Sequence, residues 1–352
     1  MVPVMPPIPV HSAPLSATEP GCVVTSRFGD IDEQAAALQG WNQRYLQLSR
    51  GRFDGTVQQL QLDGVGLFVE DLHQSLHQTG WVRDDVFALG VPLLLEGNAQ
   101  FCGQPTHGGK LHVFSGKDGF EFRSPQRHVM VCIEMDRPLF DAHIAFAGAH
   151  GDAPSEGHGA TSARAGVLPT DPAVLARLRQ FLTGLFHSAS ASEGLGLGSG
   201  APLGPAPLRK QVRTQLLDLV ALALCPAPAS TQEPGTRPTA AQLVLVERAT
   251  QLVDSRLGDP PSVGELCAAL GVSRRTLQNA FQTCWGMGPL AWLTTMRLNA
   301  VRRRLKSAHS VTDAATEFGF WHFGHFAGDY QALFGESPSH TLRRYRGTGG
   351  FQ

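Results

Sequence analysis

Val263-Gly-Glu-Leu-Cys-Ala-Ala-Leu-Gly-Val-Ser-Arg-Arg-Thr-Leu-Gln-Asn-Ala-Phe281 is the stretch from which the rest of the chain can be read. Val263, Leu266, Cys267 and Leu270 recur at i, i+3, i+4 and i+7, the apolar stripe of a helix. Ser262 with Glu265 three residues on makes a capping box, so the start of that helix is specified. Gly271 stands where a left-handed residue closes it. Ser273 then caps a second helix, in which Leu277 and Phe281 face inward while Arg274, Arg275, Gln278 and Asn279 face out. Two helices about a tight turn, the second with a face of Arg, Gln and Asn, fit insertion into a DNA major groove. Those side chains match the donors and acceptors of base edges; on the helical wheel Arg275, Gln278 and Asn279 are the ones that face the bases, with Arg274 nearer a phosphate.

The pattern returns about 48 residues later. Ser310 to Gly319 reads as a capped helix ending at glycine, and Phe320 to Phe334 as the next. Gly271 matches Gly319, Leu277 matches Phe326 and Phe281 matches Tyr330. Between the copies, Pro289 to Lys306 reads as a connecting helix with a basic end, Arg302-Arg-Arg-Leu-Lys306, where cations suit both the helix dipole and DNA phosphate. Arg302 and Arg303 are therefore candidate phosphate contacts. In the second copy the positions equivalent to the reading residues are Gly324, Ala327 and Gly328, none with a hydrogen-bonding side chain. His322 and His325 flank them as further candidates, while Trp321 and Phe323 fit core and interface equally. The first helix-turn-helix is thus expected to carry most of the sequence discrimination.

From about Val263 to Arg344 the chain resembles the DNA-binding domain of the AraC/XylS family of transcription regulators. The residues that carry the resemblance are Leu270 to Phe281, Gly286-Met-Gly-Pro-Leu290, Arg297 to Arg303, and Gly319-Phe-Trp-His-Phe-Gly-His-Phe-Ala-Gly-Asp-Tyr-Gln-Ala-Leu-Phe-Gly-Glu-Ser-Pro338. The resemblance implies double-stranded promoter DNA and RNA polymerase as partners, with a small-molecule effector and a homodimer as further expectations.

Composition agrees with a two-part chain. Its 352 residues exceed a usual single domain, and the formal net charge is −1. Residues 241–346 hold 12 Lys and Arg against 8 Asp and Glu, so that part is basic and the remainder acidic. A basic module on an acidic body fits a nucleic-acid partner for one domain only. The six cysteines, at 22, 102, 132, 225, 267 and 284, form no Cys-x-x-Cys, which argues against a zinc or redox site. The proline-broken start is no signal peptide, and no apolar run approaches a membrane span. A cytoplasmic protein with no membrane partner is expected.

Upstream, residues 1–21 read as a disordered tail, and Ile31 to Ser49 as a helix or turns. Thr56 to Glu134 holds about seven short strands punctuated by Asp-Gly, Glu-Gly-Asn, His-Gly-Gly and Lys-Asp-Gly turns, which predicts an antiparallel sandwich or barrel. Its order resembles the cupin-like sensor domains of the same family. Lys117 to Pro125 and Arg52-Phe-Asp-Gly55 are similar to the ethanolamine-operon-activator subset. The expected fold is therefore α+β and multidomain: a cupin-like β-sandwich with helices (22–144), a linker and helical dimerisation region (145–225), a Pro-rich linker (226–239), and an all-α double helix-turn-helix domain (240–346).

Apolar stripes predict helices over Pro172 to His187 and Leu208 to Leu224, and more stripe than a small sandwich needs suggests dimerisation through one of them. Phe53, Trp81, Phe87 and Phe122 are candidate walls of an effector cavity. His107, His112 and His128 lack the His-x-His and following Glu of a cupin metal site, so no metal or cofactor is expected. No nucleophile with a base and no catalytic carboxylate pair is discernible, so no catalytic residue is assigned and the protein is not expected to be an enzyme. The competing expectations are a cupin-like enzyme with an appended DNA-binding domain, or a ligand-independent repressor.

Overall fold

The computed structural model describes residues 20–149, 165–190, 203–225 and 238–346. Residues 1–19 of the tail expected over 1–21, and most of both expected low-complexity linkers, lie outside the described residues. The chain divides into two units, Met1–Tyr45 with Asp54–Gln232, and Leu46–Phe53 with Glu233–Gln352.

The first unit is layered. A seven-stranded antiparallel sheet runs in the order β1 (Val23–Phe28), β3 (Gly55–Leu62), β4 (Val65–Leu72), β11 (Arg127–Asp136), β6 (Val86–Glu96), β9 (Lys110–Phe114), β12 (Gly166–Pro169). A five-stranded sheet faces it, in the order β2 (Trp41–Gln47), β5 (Leu76–Val82), β10 (Phe120–Arg123), β7 (Ala99–Phe101), β8 (Gln104–Thr106). This is the expected sandwich, with more strands than the turn signals gave. A short helix, α1 (Ile31–Ala37), capped by Asp30, precedes β2.

The large sheet is covered on both faces, and strand alternation sorts its residues between two cores. On β11, Val131, Ile133 and Met135 enter one apolar cluster while Met130 and Cys132 enter the other. On β6, Phe87, Leu89 and Val91 share the first, and Val86 and Ala88 the second. The second cluster fills the sandwich, with Trp41 edge-on to Phe68, Phe114 and Phe120.

The first cluster lies outside the sandwich, under α2 (Arg137–Ala149), α3 (Pro172–Ser190) and α4 (Ala206–Leu224). Leu175, Leu178, Leu182 and Leu185 of α3, and Leu216, Leu217, Val220 and Leu224 of α4, pack there with the sheet. The apolar stripes of the expected dimerisation region therefore pack against the sheet. The two stripes are used within the unit because the large sheet has a second apolar face to cover. Where a loop was expected after Ala145, α2 continues to Ala149.

The second unit is helical: α5 (Ala240–Asp254), α6 (Val263–Leu270), α7 (Arg274–Trp285), α8 (Pro289–Leu305), α9 (Val311–Glu317), α10 (Phe323–Phe334) and α11 (Pro338–Arg346). It has two cores strung on one helix. Trp292, Leu293 and Met296 of α8 belong with α5, α6 and α7, while Leu298, Val301 and Leu305 belong with α9, α10 and α11. A single helix buried at both ends holds the two halves in a fixed relation.

Residues 46–53, placed within the sensor domain by the sequence pattern, belong to this helical unit. Asn299 of α8 grips Gln47 on both backbone groups: the Gln47 N–H donates to Oδ1 at 3.0 Å, and Nδ2 donates to the Gln47 carbonyl at 3.0 Å. Gln47 Nε2 donates to the Leu333 carbonyl at 2.7 Å, and Gly51 N–H to the same carbonyl at 3.1 Å. Leu46 is part of the first-half core.

Candidate nucleic-acid interface

Each helix of the first half starts and stops where its residues dictate. Ser262 Oγ accepts from Glu265 N–H at 3.2 Å, and Glu265 Oε2 accepts from Ser262 N–H at 2.7 Å, closing the capping box. Gly271 ends α6 at φ 66°, a left-handed conformation glycine adopts without penalty. Ser273 caps α7 through Thr276 N–H at 3.1 Å. Leu277, Ala280, Phe281, Cys284 and Trp285 bury one face of α7. With that register fixed, Arg274, Arg275, Gln278 and Asn279 are all exposed on the other. The Gln278 amide lies against Gly288, where a Cβ would come within 2.8 Å of its Nε2. Glycine at the start of α8 therefore leaves room for the Gln278 amide.

In the second half Ser310 caps α9, and Gly319 turns the chain at φ 73°. Arg297 of α8 locks that turn, donating from Nε to the Phe318 carbonyl at 2.8 Å and from Nη2 to that of Gly319. Its guanidinium lies 4.2 Å from the Phe320 ring centroid. Phe326 and Tyr330 are buried in α10 as the repeat predicts. The helix itself begins at Phe323, three residues later than its pattern suggested, with His322 at the N-cap making no side-chain cap bond. His322, Gly324, His325, Ala327 and Gly328 are all exposed.

Two candidates are placed differently. The Arg302 side chain is only 4% exposed, pairs with Glu336 Oε1 at 2.8 Å and lies over the Phe334 ring. It is a core ion pair rather than a phosphate contact, because α8 is covered along this face by the second half. Burial raises the Glu336 carboxyl, but Arg302, His340, Thr341 and Arg344 outweigh it and hold its pKa below the ordinary carboxylate value. Arg303 is half-buried, so it is a poorer phosphate candidate than Arg274. Neighbouring Arg304 is tied to Glu317 at 2.6 Å.

Trp321, which fits core and interface equally in the sequence, and Leu290, which falls on the apolar pattern of the connecting helix, are both exposed. Their side chains are 71% and 69% exposed, and both line an open groove with Arg274, Arg275, Gln278 and Thr294. The signal was weak because Trp321 precedes α10, so a helical wheel does not apply to it.

Two helix-turn-helix units on a shared helix, with one exposed Arg/Gln/Asn face on α7, define a domain of the double helix-turn-helix class. A family model described as a helix-turn-helix domain matches residues 266–344. Over 177 residues the chain is 32% identical to the probable thc operon regulatory protein of Rhodococcus erythropolis, covering 47% of this chain and 49% of that one. Over 102 residues it is 35% identical to XylDLEGF operon transcriptional activator 3 of Pseudomonas putida, covering 28% and 31%. A solved probable AraC family transcriptional regulator from Rhodopseudomonas palustris is 34% identical, covering 29% of this chain and 97% of that one, with a TM-score of 0.28. The chain thus spans about half the length of the first curated relative and under a third of the second. Residues 266–344 form a helix-turn-helix domain, and this part of the chain is similar to the XylDLEGF operon transcriptional activators.

The three histidines considered as metal ligands lie in the first unit and are apart in role. His112 is bonded to Thr106 Oγ1 at 2.8 Å and stacked on Phe101, and His107 Nδ1 accepts from Gly109 N–H. Burial, with His128 adding to it, lowers the pKa of His112 to about 3, and burial lowers that of His128 to about 4. Among the described residues no group of three metal-ligating side chains converges. No described helix is long and apolar enough to cross a membrane.

Proposed function

We propose that this protein is a sequence-specific transcription regulator that binds promoter DNA through both helix-turn-helix units and acts as an activator. The observation that carries the proposal is the exposed face of α7, where Arg274, Arg275, Gln278 and Asn279 stand together on a helix anchored by its buried face. Arg offers bidentate bonds to guanine, and Gln and Asn to adenine. The activator names of the Pseudomonas putida relatives support the sign, and an activator requires RNA polymerase as a partner.

Control by a small molecule is proposed for the sandwich. A small cavity there is lined by Trp41, Gln43, Glu70, Gln78, Phe122 and His128, among others. Its free volume of about 10 Å³ accommodates roughly one water, so an effector must open it. Of the four wall residues expected from the sequence, only Phe122 lines it; Trp81 is exposed, Phe87 packs in the outer core, and Phe53 belongs to the helical unit. Glu70 inside it accepts from Gln34 Nε2 at 2.8 Å and from Tyr45 Oη at 2.7 Å. A homodimer through this unit would use Leu208 and Leu222, the large apolar side chains that α4 leaves exposed.

The test is binding-site selection from random duplexes with the full chain. One enriched sequence is expected, and Arg275→Ala should weaken it by about 1–3 kcal/mol and relax preference at one base pair. Arg274→Ala should weaken all duplexes alike and reduce the salt slope by about one. Enrichment of no sequence would overturn the proposal.

A further inference from the structure

The outward face of α10 is bare in a way that internal packing does not require. A Cβ placed on Gly324 or Gly328 would meet nothing within 4 Å. Each glycine costs the helix roughly 1 kcal/mol relative to alanine, and no neighbour in the fold accounts for it. Ala327 lies exposed between them. A helix so stripped lets its backbone come close to whatever it docks on.

At the start of that bare face the chain exposes aromatic surface. Trp321 and Phe323 are 71% and 42% exposed, although each has well-packed aromatic neighbours in sequence, Phe320 and Phe326. Trp321 also lines the groove shared with Arg274, Arg275 and Gln278, across which Leu290 is 69% exposed. Apolar surface of this size beside guanidinium groups is suited to a partner that carries both anionic and apolar features. A DNA duplex is such a partner. Its phosphates complement Arg274 and Arg275, and the apolar feature of its major groove is the thymine 5-methyl group. The acidic residues lining the groove are already engaged, Glu265 in its capping box and Asp259 with Arg256.

Resting on the DNA-binding reading above, we propose that the second helix-turn-helix reads thymine by apolar contact, with Trp321 and Phe323 receiving the 5-methyl groups while the bare face of α10 lies close in the groove. The two halves then read by different chemistry: hydrogen bonds at α7, methyl contact and close fit at α10.

The experiment uses the full chain and the duplex enriched by selection, resynthesised with deoxyuridine for thymidine in one half-site at a time. Uracil keeps every hydrogen-bonding group of thymine and lacks only the methyl. Substitution in the half protected by the second unit should weaken wild-type binding about fourfold for each contacted methyl. Trp321→Ala and Phe323→Ala should each bind the thymine duplex more weakly and lose part of the thymine-over-uracil difference. Both side chains are exposed, so circular dichroism and thermal melts matching the wild type will show that the variants are folded. Gly328→Leu, which fills the bare face without touching the fold, should weaken the cognate duplex at least tenfold. Wild-type binding indifferent to uracil in that half-site, or a second half-site with no protection, overturns this inference while leaving the regulator reading intact. A selection that enriches nothing overturns both.

Discussion

Replacing Asn299 with Leu tests whether residues 46–53 are a working part of the DNA-binding unit. Asn299 and Gln47 are each about 1% exposed. The asparagine side chain satisfies the Gln47 N–H and carbonyl at 3.0 Å each, and donates to the Thr295 carbonyl at 2.8 Å. Leucine has the same branched skeleton of side-chain heavy atoms, so it leaves no space for water to replace those bonds. Two buried backbone groups lose their side-chain partner, at about 1–3 kcal/mol each. The Thr295 carbonyl is less affected, since it also serves the helix ladder. A more helix-favouring residue returns about half a kcal/mol, so the net loss is on the order of 2–5 kcal/mol. Hydrogen exchange on the full chain reads this locally. In the wild type the amides of Gln47 and Gly51 should be protected to the level of α8, and in Asn299→Leu they should exchange faster by at least a factor of about 30. DNA affinity should fall with them, because Gln47 and Gly51 also hold the carbonyl of Leu333, near the end of α10. Unchanged protection at both amides, or a stability loss under about 1 kcal/mol, would refute the reasoning.

Glu336→Gln should destabilise the second half by about 3–5 kcal/mol, since it strands the buried Arg302 charge; chemical denaturation followed by the exchange of α10 and α11 amides checks this. The Glu336 pKa is depressed in the fold, so its contribution is present above the unfolded carboxyl value and is lost as pH falls through the folded one. Glu134 has the opposite sign: burial raises its pKa to about 7, opposed by Arg83. The folded sandwich then holds a proton that the unfolded chain has released, so stability should decline as pH rises from about 4.5 to 7, by roughly 1.4 kcal/mol for each pH unit crossed. Glu134→Gln should flatten that decline in thermal melts taken across the range. A thermal-shift screen of amines, amino acids and aromatic acids should yield a stabilising effector, and Gln78→Leu or His128→Leu should abolish the stabilisation; a blank screen would favour a ligand-independent regulator.

What the sequence determined by itself was everything specified locally. The capping boxes, the left-handed glycines and the i, i+3, i+4 stripes each act within a few residues, so both helix-turn-helix units and the exposed set Arg274, Arg275, Gln278 and Asn279 were legible before any fold was known. Turn dipeptides likewise disclosed most of the sandwich. Strand β5 escaped because it turns polar residues inward: His77 and Gln78 are buried there, and His77 bonds Glu121 at 2.9 Å, so no apolar alternation marks it.

Tertiary structure decided whatever depended on what covers a surface. Arg302 and Arg304 belong to one basic run, yet one is buried against Glu336 and the other tied to Glu317, because α8 has the second half packed along part of its circumference. The stripes of α3 and α4 were visible, but their partner is the outer face of the large sheet, whose central strands are apolar on both sides and so do not reveal how many faces need cover. The exposure of Trp321 depends on α10 beginning at Phe323. Residues 46–53 join the helical unit through bonds from Gln47 to Asn299, across 252 positions of chain. No local pattern encodes a pairing at that separation, because each partner is an ordinary polar residue until the fold brings them together.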